Sequence, residues 1–253
     1  MILRIGDASA TEASGQEAWP AFEKTQRTTG CFTGCISQPA HAALAARLAT
    51  VLKPEVFGVL PPEVIDAIGW HDVGWADHDL SALEWAAEQQ PQSFLAYPAE
   101  RAVQAWRKSI REAETRSPLA GILISRHFCL LAPRDSDPHH VAFVDQENRR
   151  RDPLEAASPL SRDDLDRFSA ALGFCDLLSL CLCSGLSGSV QVPLAHPADP
   201  ASRHADKVTV LLAGETIHID QQIIAPGALM HVDGWIALSP NVLASQRFHW
   251  TIA

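Results

Sequence analysis

The sequence is poor in positive charge and has no long apolar run. It carries 20 Lys and Arg against 30 Asp and Glu, which gives a formal net charge of −10. Duplex nucleic acid is bound by basic side chains that neutralise phosphates, so this balance argues against a protein that binds duplex nucleic acid. No stretch approaches the roughly 18–20 uninterrupted apolar residues of a membrane span, and the start lacks the apolar core of a signal peptide. We therefore expect a cytoplasmic protein that does not bind membranes.

Several common motifs are also missing. Cys31 and Cys35 form a lone CxxxC pair with no second pair at zinc-finger spacing, whereas a structural zinc site needs four ligands. The chain has no glycine-rich phosphate loop, no internal repeat and no low-complexity tract. These absences argue against zinc fingers, nucleotide-binding loops of the Walker or Rossmann kind, and repeat proteins. The 253 residues, 47% of them apolar, are enough for one large globular core.

Apolar residues recur with helical spacing over much of the chain. In the first such segment His41, Leu44, Leu48 and Leu52 share one stripe. In the last, Ser161 followed by acidic residues is a typical helix start, and two glycines mark the end. The pattern predicts five helices, over residues 37–54, 61–72, 98–116, 118–131 and 161–185.

From Val190 onward the spacing of apolar residues changes from the helical period of 3.6 residues to the strand period of 2 residues. The segments KVTVLLAG, ETIHIDQQII, ALMHVDGWIALS and RFHWTIA alternate apolar and polar residues, and Asp233-Gly234 is a typical hairpin turn. Residues 1–5 read as a short strand and residues 7–30 as a surface loop. We therefore predict a mainly α protein, with a helical metal-binding domain over 1–188 and a small antiparallel β subdomain over 189–253. The short strands of this appendage offer an edge for homodimer formation.

Four metal-binding side chains stand out from their surroundings. His41 and Asp176 each lie on an otherwise apolar helical stripe, where a titratable group is costly unless it is paired or metal-bound. His71 and Asp72 are adjacent at the end of the second predicted helix. Two imidazoles and two carboxylates suit a divalent ion such as Fe, Mn, Zn, Ni or Co. The alternative is a set of core polar residues with ordinary hydrogen-bond partners.

The order His, His-Asp, Asp on successive helices resembles that of the HD-domain metal-dependent phosphohydrolases. The His-Asp pair begins 30 positions after His41, and Asp176 lies 104 positions after Asp72. The stretches QPAHAALAARLA, AIGWHDVGW, GILISRHFCLL and FCDLLSLCLC, followed by a β tail, are similar to an uncharacterised bacterial family of that superfamily, one named only as a domain of unknown function. The resemblance covers nearly the whole chain and implies an HD-domain-like, all-α core.

The resemblance implies one or two divalent ions at the four residues above, and a metal-bound water that attacks a phosphoester. It also makes His127 the next expected ligand or catalytic residue. His127 lies on an apolar helical face between Leu123 and Leu131. The alternative for His127 is a buried imidazole bonded to the backbone. Asp79, like Asp77, is a candidate for a catalytic or imidazole-orienting role, against the alternative of an acidic surface loop. A further ligand would have to come from His78 or from the pair His139-His140.

The leading functional prediction is a metal-dependent hydrolase of a small phosphorylated or nucleotide-like substrate, hence an anionic small molecule. The chain lacks the Gly-Tyr-Pro motif of the cyclic-dinucleotide branch of the superfamily. One alternative is an HD-fold dinuclear-iron oxygenase, which needs one more histidine than the set above supplies. Another is a non-catalytic metal- or ligand-binding protein in which the β tail caps the helical cavity.

Overall fold

The fold combines helices with one curled β-sheet. The computed structural model describes residues 1–6, 11–28, 32–85, 91–132, 137–196, 206–220, 222–239 and 242–253. Within these ranges the helices are α1 (Ala18–Arg27), α2 (Gln38–Thr50), α3 (Pro54–Phe57), α4 (Pro62–Trp70), α5 (Ala76–Trp85), α6 (Ala99–Glu114), α7 (Pro118–Leu131), α8 (Pro138–Ala157) and α9 (Arg162–Ser184). The strands are β1 (Ile2–Ile5), β2 (Glu12–Glu17), β3 (Phe32–Ile36), β4 (Ser187–Pro193), β5 (Lys207–Ala213), β6 (Thr216–His218), β7 (Leu229–Ser239) and β8 (Val242–Ile252).

The long helix α9 forms the centre of the core. Ser161 caps its start in a reciprocal pair of hydrogen bonds with Asp164, and Gly185 ends it in the left-handed region at φ 78°. The helix is buried almost all round and packs against α1, α2, α4, α7 and β1. It is long and apolar enough to cross a membrane, but 89% of its most apolar window is buried inside the protein. Such burial is typical of a core helix in a soluble protein.

The predicted helices and C-terminal strands are largely confirmed. The five predicted helices correspond to α2, α4, α6, α7 and α9, and period-2 alternation corresponds to β5, β7 and β8. Four of the nine helices in the described ranges, α1, α3, α5 and α8, were not predicted. Asp233 and Gly234 do not form the predicted hairpin turn, because both lie inside β7 and pair with Arg247 and Gln246 of β8.

The prediction of a mainly α protein with a small antiparallel appendage is wrong. Of the residues that the structure describes, 56% are helical and 24% lie in strands, and their eight-stranded sheet is mixed. The strand order is β1-β3-β7-β8-β6-β5-β4-β2, in which β2 pairs with β4 and β6 with β8 in parallel. Three N-terminal strands are built into the sheet, with β3 next to β7 and β2 next to β4. The predicted division between residues 188 and 189 falls inside β4, and the sheet takes strands from both sides of it.

The prediction of a surface loop over residues 7–30 is also wrong. Strand β2 and helix α1 lie within this segment, while residues 7–10 and 29–30, like Cys31, are outside the described residues. Ala18, Ala21 and Phe22 of α1 are fully buried against the core. The helix was not predicted because the segment is mostly polar. Only one face of α1 contacts the core, so few of its residues need to be apolar.

Candidate metal centre

Three elements bring four polar side chains together in the core. His41 lies one turn into α2, His71 and Asp72 directly follow α4, and Asp176 lies in the second half of α9. All four side chains are buried. Ligand atoms of His41, His71 and Asp176 lie within 4.8 Å of one another. The fold therefore assembles residues that are up to 135 positions apart in the sequence.

The backbone fixes the proton on the His71 ring. Nδ1 of His71 is 2.7 Å from the carbonyl oxygen of Ile68, and a carbonyl only accepts, so Nδ1 donates. In a neutral ring Nε2 then carries a lone pair. This atom lies 3.3 Å from Asp176 Oδ1 and 3.6 Å from Asp72 Oδ2. It is buried and makes no hydrogen bond to any residue that the structure describes.

Ser179 fixes the proton of the His41 ring on Nδ1, as the Ile68 carbonyl does for His71. The hydroxyl of Ser179 donates to the backbone carbonyl of Asp176 over 2.8 Å, and its oxygen is 2.9 Å from Nδ1 of His41. Because the serine proton is already used, Nδ1 of His41 is the donor in that contact. The lone pair of a neutral ring therefore sits on Nε2, which is 2.8 Å from Asp72 Oδ2.

Two imidazole lone pairs thus face two carboxylates, and this arrangement requires a positive charge. In the metal-free protein a proton on His71 supplies that charge. Burial alone would lower the pKa of His71, but the carboxylates of Asp72 and Asp176 outweigh burial and raise the pKa to about 9. Burial likewise would raise the pKa of Asp176, but the close approach of His71 holds it well below its ordinary value.

A second pair of histidines adjoins these four residues. His127, on α7, places Nε2 3.7 Å from Asp176 Oδ2 and Nδ1 2.7 Å from Nε2 of His196. His196 follows β4 and is buried. Burial lowers the pKa of His127 well below its ordinary value, so this ring is neutral at neutral pH. The contact with His196 holds the ring with Nε2 towards Asp176.

A family model described as "Protein of unknown function (DUF3891)" matches residues 26–252. The chain belongs to this family. No curated protein and no solved structure matches it. The description of DUF3891 gives neither a function nor a superfamily, so the HD-domain resemblance stays a prediction drawn from the residues quoted above.

The other predicted site residues of this DUF3891 chain lie elsewhere. Asp79 is buried, but among the described residues its hydrogen bonds come from the backbone N–H of Gln38, over 2.5 Å, and the amino group of Met1, over 2.8 Å. It anchors the start of α2 and does not orient an imidazole of the cluster. Asp77 is exposed and pairs with Lys108.

The candidates for a further histidine ligand also lie outside the cluster. His78 is half-buried between the rings of Trp75 and Tyr97. His139 is exposed at the start of α8, and His140 stacks on Trp106. The additional histidine is His196, which sequence reasoning missed. It lies in an irregular segment after β4, where neither helical nor strand periodicity marks a buried position.

A cavity of about 280 Å³ opens onto the cluster. Asp72, Asp176 and His127 line it, so the carboxylates and one imidazole face the space directly. Six of the thirteen other described lining residues are Trp, Phe or Tyr. The described lining residues outside the cluster are Trp19, Gln38, Trp75, Phe94, Leu95, Tyr97, Ala99, Ala102, Trp106, Phe128, Leu131, His140 and Leu180.

Proposed function

We propose that this protein is a cytoplasmic, metal-dependent hydrolase that acts on a small phosphorylated substrate. The observation that carries the proposal is the pairing of two imidazole lone pairs with two carboxylates. Nε2 of His41 and Nε2 of His71 both face carboxylate oxygens, and the backbone and Ser179 fix both rings in that orientation. A divalent ion satisfies all these groups at once, since imidazole nitrogens and carboxylate oxygens are its usual ligands.

The residues that would hold the ion are His41, His71, Asp72 and Asp176. The buried Nε2 of His71 fits this role, because it lies 3.3 and 3.6 Å from carboxylate oxygens of Asp176 and Asp72 without a well-formed hydrogen bond to any described residue. When bound, such an ion supplies a Lewis acid for a phosphoryl group and activates a water molecule.

The protein's own residues would prepare the site around the ion. Ser179 and the Ile68 carbonyl keep the rings of His41 and His71 in the ligating tautomer. Neutral His127 lines the cavity and is held by His196, so it can hydrogen-bond a substrate oxygen beside Asp176.

The proposal is tested by elemental analysis of protein reconstituted with Zn²⁺, Mn²⁺ or Fe²⁺ and then desalted. We expect about one equivalent per chain in the wild type and less than about one tenth in His71→Ala and Asp176→Ala, because each removes a ligand. His218→Ala, which removes an exposed histidine on β6, is the matched control and should retain the metal. Full retention of metal in both ligand variants, or no metal in the wild type, would overturn the assignment.

A phosphomonoesterase assay on the same preparations tests the reaction. Activity should follow metal content across the wild type and the three variants. Stoichiometric metal with no turnover of any phosphoester would instead indicate a metal- or ligand-binding protein without catalysis.

The dinuclear-iron oxygenase is the second candidate, and His196 is the observation in its favour. It adds an imidazole beside His127, which raises the number of clustered histidines to four. The ring nitrogens Nδ1 of His127 and Nε2 of His196 are 2.7 Å apart and bond to each other, however, and a second ion would have to separate them. About two equivalents of iron per chain, with an oxygen-sensitive absorption band, would favour the oxygenase over the hydrolase.

A further inference from the structure

The cavity beside the cluster has walls of aromatic rings. Trp106 stacks on Phe128 with ring centroids 5.2 Å apart and an interplanar angle of 16°. Trp75 contacts Tyr97 and Phe94 edge to face, at centroid distances of 5.7 and 6.2 Å. These rings line the same space as Asp72 and Asp176. Rings that hold one another in place form a rigid apolar wall, which favours a flat apolar group.

The cavity has almost no means of binding several negative charges. Among its described lining residues there is no Lys and no Arg, and the charged side chains are the carboxylates of Asp72 and Asp176. Polyphosphates are usually held by Arg, Lys and backbone N–H groups. With carboxylates on the wall, an anion can bind only through the ion of the proposed site, so the cavity suits one anionic group and not several.

Two residues that line the cavity each carry a buried polar atom without a hydrogen bond to any described residue. Gln38 lines the cavity and is 1% exposed, yet its Oε1 bonds to no described residue. The same holds, within the part of the chain that the structure describes, for the buried Nδ1 of His140. An unsatisfied buried polar atom is costly, and nearly all such atoms in folded proteins have a partner. A polar substituent on a bound molecule would supply one.

We propose that the site takes a small substrate with a ring-containing apolar body, one anionic head and a polar substituent on the ring. The head lies at the metal cluster, the ring lies among the aromatic side chains, and the substituent is within reach of Gln38. The proposal rests on the proposed function for the anionic head, whereas the aromatic wall and the unpartnered amide support the ring independently.

The test is the binding of two non-hydrolysable probes to the metal-reconstituted protein by isothermal titration calorimetry. Phenylphosphonate and methylphosphonate carry the same head and differ in the ring. We expect phenylphosphonate to bind at least about tenfold more tightly, since the ring buries apolar surface that the methyl group cannot. Equal affinities, or tighter binding of inorganic tripolyphosphate than of phenylphosphonate, would overturn the proposal.

Two variants locate the ring. Trp106→Ala removes part of the aromatic wall, and Ala102→Phe fills the cavity from α6. Each should lower the phenyl-to-methyl affinity ratio towards one while methylphosphonate binding stays unchanged. Ala102→Phe keeps the test valid if Trp106→Ala does not fold. An unchanged ratio in a folded Ala102→Phe protein would place the ring elsewhere and refute the cavity assignment.

A further measurement separates this proposal from the proposed function. If the protein binds no metal, the hydrolase proposal fails, and the ring preference is then measured on metal-free protein with phenol and methanol, which differ in the ring but lack the anionic head. Quenching of tryptophan fluorescence by phenol in the wild type, and its loss in Ala102→Phe, would support the ring site alone. Equal quenching in both proteins would refute it.

Discussion

The protons on two imidazole rings decide whether the cluster can accept a cation. His71 directs its N–H to the backbone and His41 directs its N–H to Ser179, which leaves both Nε2 atoms towards the carboxylates. In metal proteins, loss of the group that hydrogen-bonds the far nitrogen of a ligating imidazole typically lowers metal affinity by about 10–100-fold. Ser179 has that position here, since it contacts Nδ1 of His41 and is not itself one of the four proposed ligands.

Replacement of Ser179 by Ala is expected to weaken metal binding by about tenfold, with the four proposed ligands intact, because His41 loses the acceptor that fixes its tautomer. Metal titration by calorimetry measures this change. Ser184→Ala is the matched control. Ser184 is equally buried on the same helix and makes the same kind of bond, donating to the carbonyl three residues earlier. If both variants lost affinity equally, the effect would be structural and the role of Ser179 would be refuted.

Individual residues were predictable where their chemistry conflicted with their surroundings. His41 and Asp176 lie on apolar helical stripes, so sequence alone marked them, and the structure brings them together with His71 and Asp72. Asp79 also belongs to a His-Asp pair, as Asp72 does. Its carboxylate, however, accepts a hydrogen bond from the backbone N–H of Gln38 at the start of α2. A dipeptide cannot show which backbone N–H groups the folded chain places beside it.

At the scale of single elements, the turn after α4 packs closely against α6 beside the cluster. It carries His71 and Asp72 into a 3-10 turn, Val73–Trp75, which packs against α6. Gly74 makes this approach possible, since its backbone N–H donates to Ser109 and a Cβ there would lie 2.0 Å from the carbonyl oxygen of Ala105. The close contact fixes the distance between the two proposed ligands and the rest of the core.

The variant Gly74→Ala is expected to lower the free energy of unfolding by about 2–3 kcal/mol, because backbone atoms of α6 must move to admit the methyl group. It should also weaken metal binding, as His71 and Asp72 shift with the turn. Urea denaturation and metal titration measure the two effects.

Gly69→Ala provides the comparison within the same segment. A Cβ at Gly69 would meet only the Cβ of Ala46 at 3.2 Å, and alanine is the better helix former, so we expect a change within about 1 kcal/mol. A Gly74→Ala protein as stable as Gly69→Ala would show that the turn tolerates displacement.

Helices were predictable because their signals are local. Ser37 and Ser161 cap α2 and α9 as their sequences indicate, and apolar spacing within each helix identifies the buried face. Helix α8 was missed because its sequence, PHHVAFVDQENRRRDPLEAA, is mostly polar and contains Pro153. Only three of its residues are buried, so its apolar stripe is too narrow to stand out.

At the scale of the whole molecule, the sheet joins both ends of the chain. β2 pairs in parallel with β4 at one edge, and β3 pairs with β7 near the other, so strands before residue 37 need partners after residue 186. Local periodicity cannot reveal such pairing, because it reports the faces of a strand and not its neighbours. The polar sequence of β2, EASGQE, gave no strand signal at all. This is why the C-terminal strands were predictable and their place in the fold was not.

This connectivity predicts that the fragment 1–188 does not fold as the helical domain that sequence patterning suggests. Without the segment that follows, β3 loses β7, β2 loses most of β4, and His127 loses His196. Buried residues of the missing strands, such as Val190, Val210 and Ile217, belong to the same apolar core as α9. Their loss exposes apolar surface that costs about 25 cal/mol per Å².

We therefore expect the fragment to lack a cooperative thermal transition and to bind several molecules of the dye ANS on exposed apolar surface, whereas the full chain shows one transition and binds the dye, if at all, only in its cavity. Circular dichroism and dye fluorescence, measured side by side on both proteins, distinguish the possibilities. A cooperative transition in the fragment would mean that the helices form an independent domain to which the sheet is added. Its absence would mean that the metal cluster depends on strands from both ends of the chain, because the core that holds the cluster is closed only when they pair.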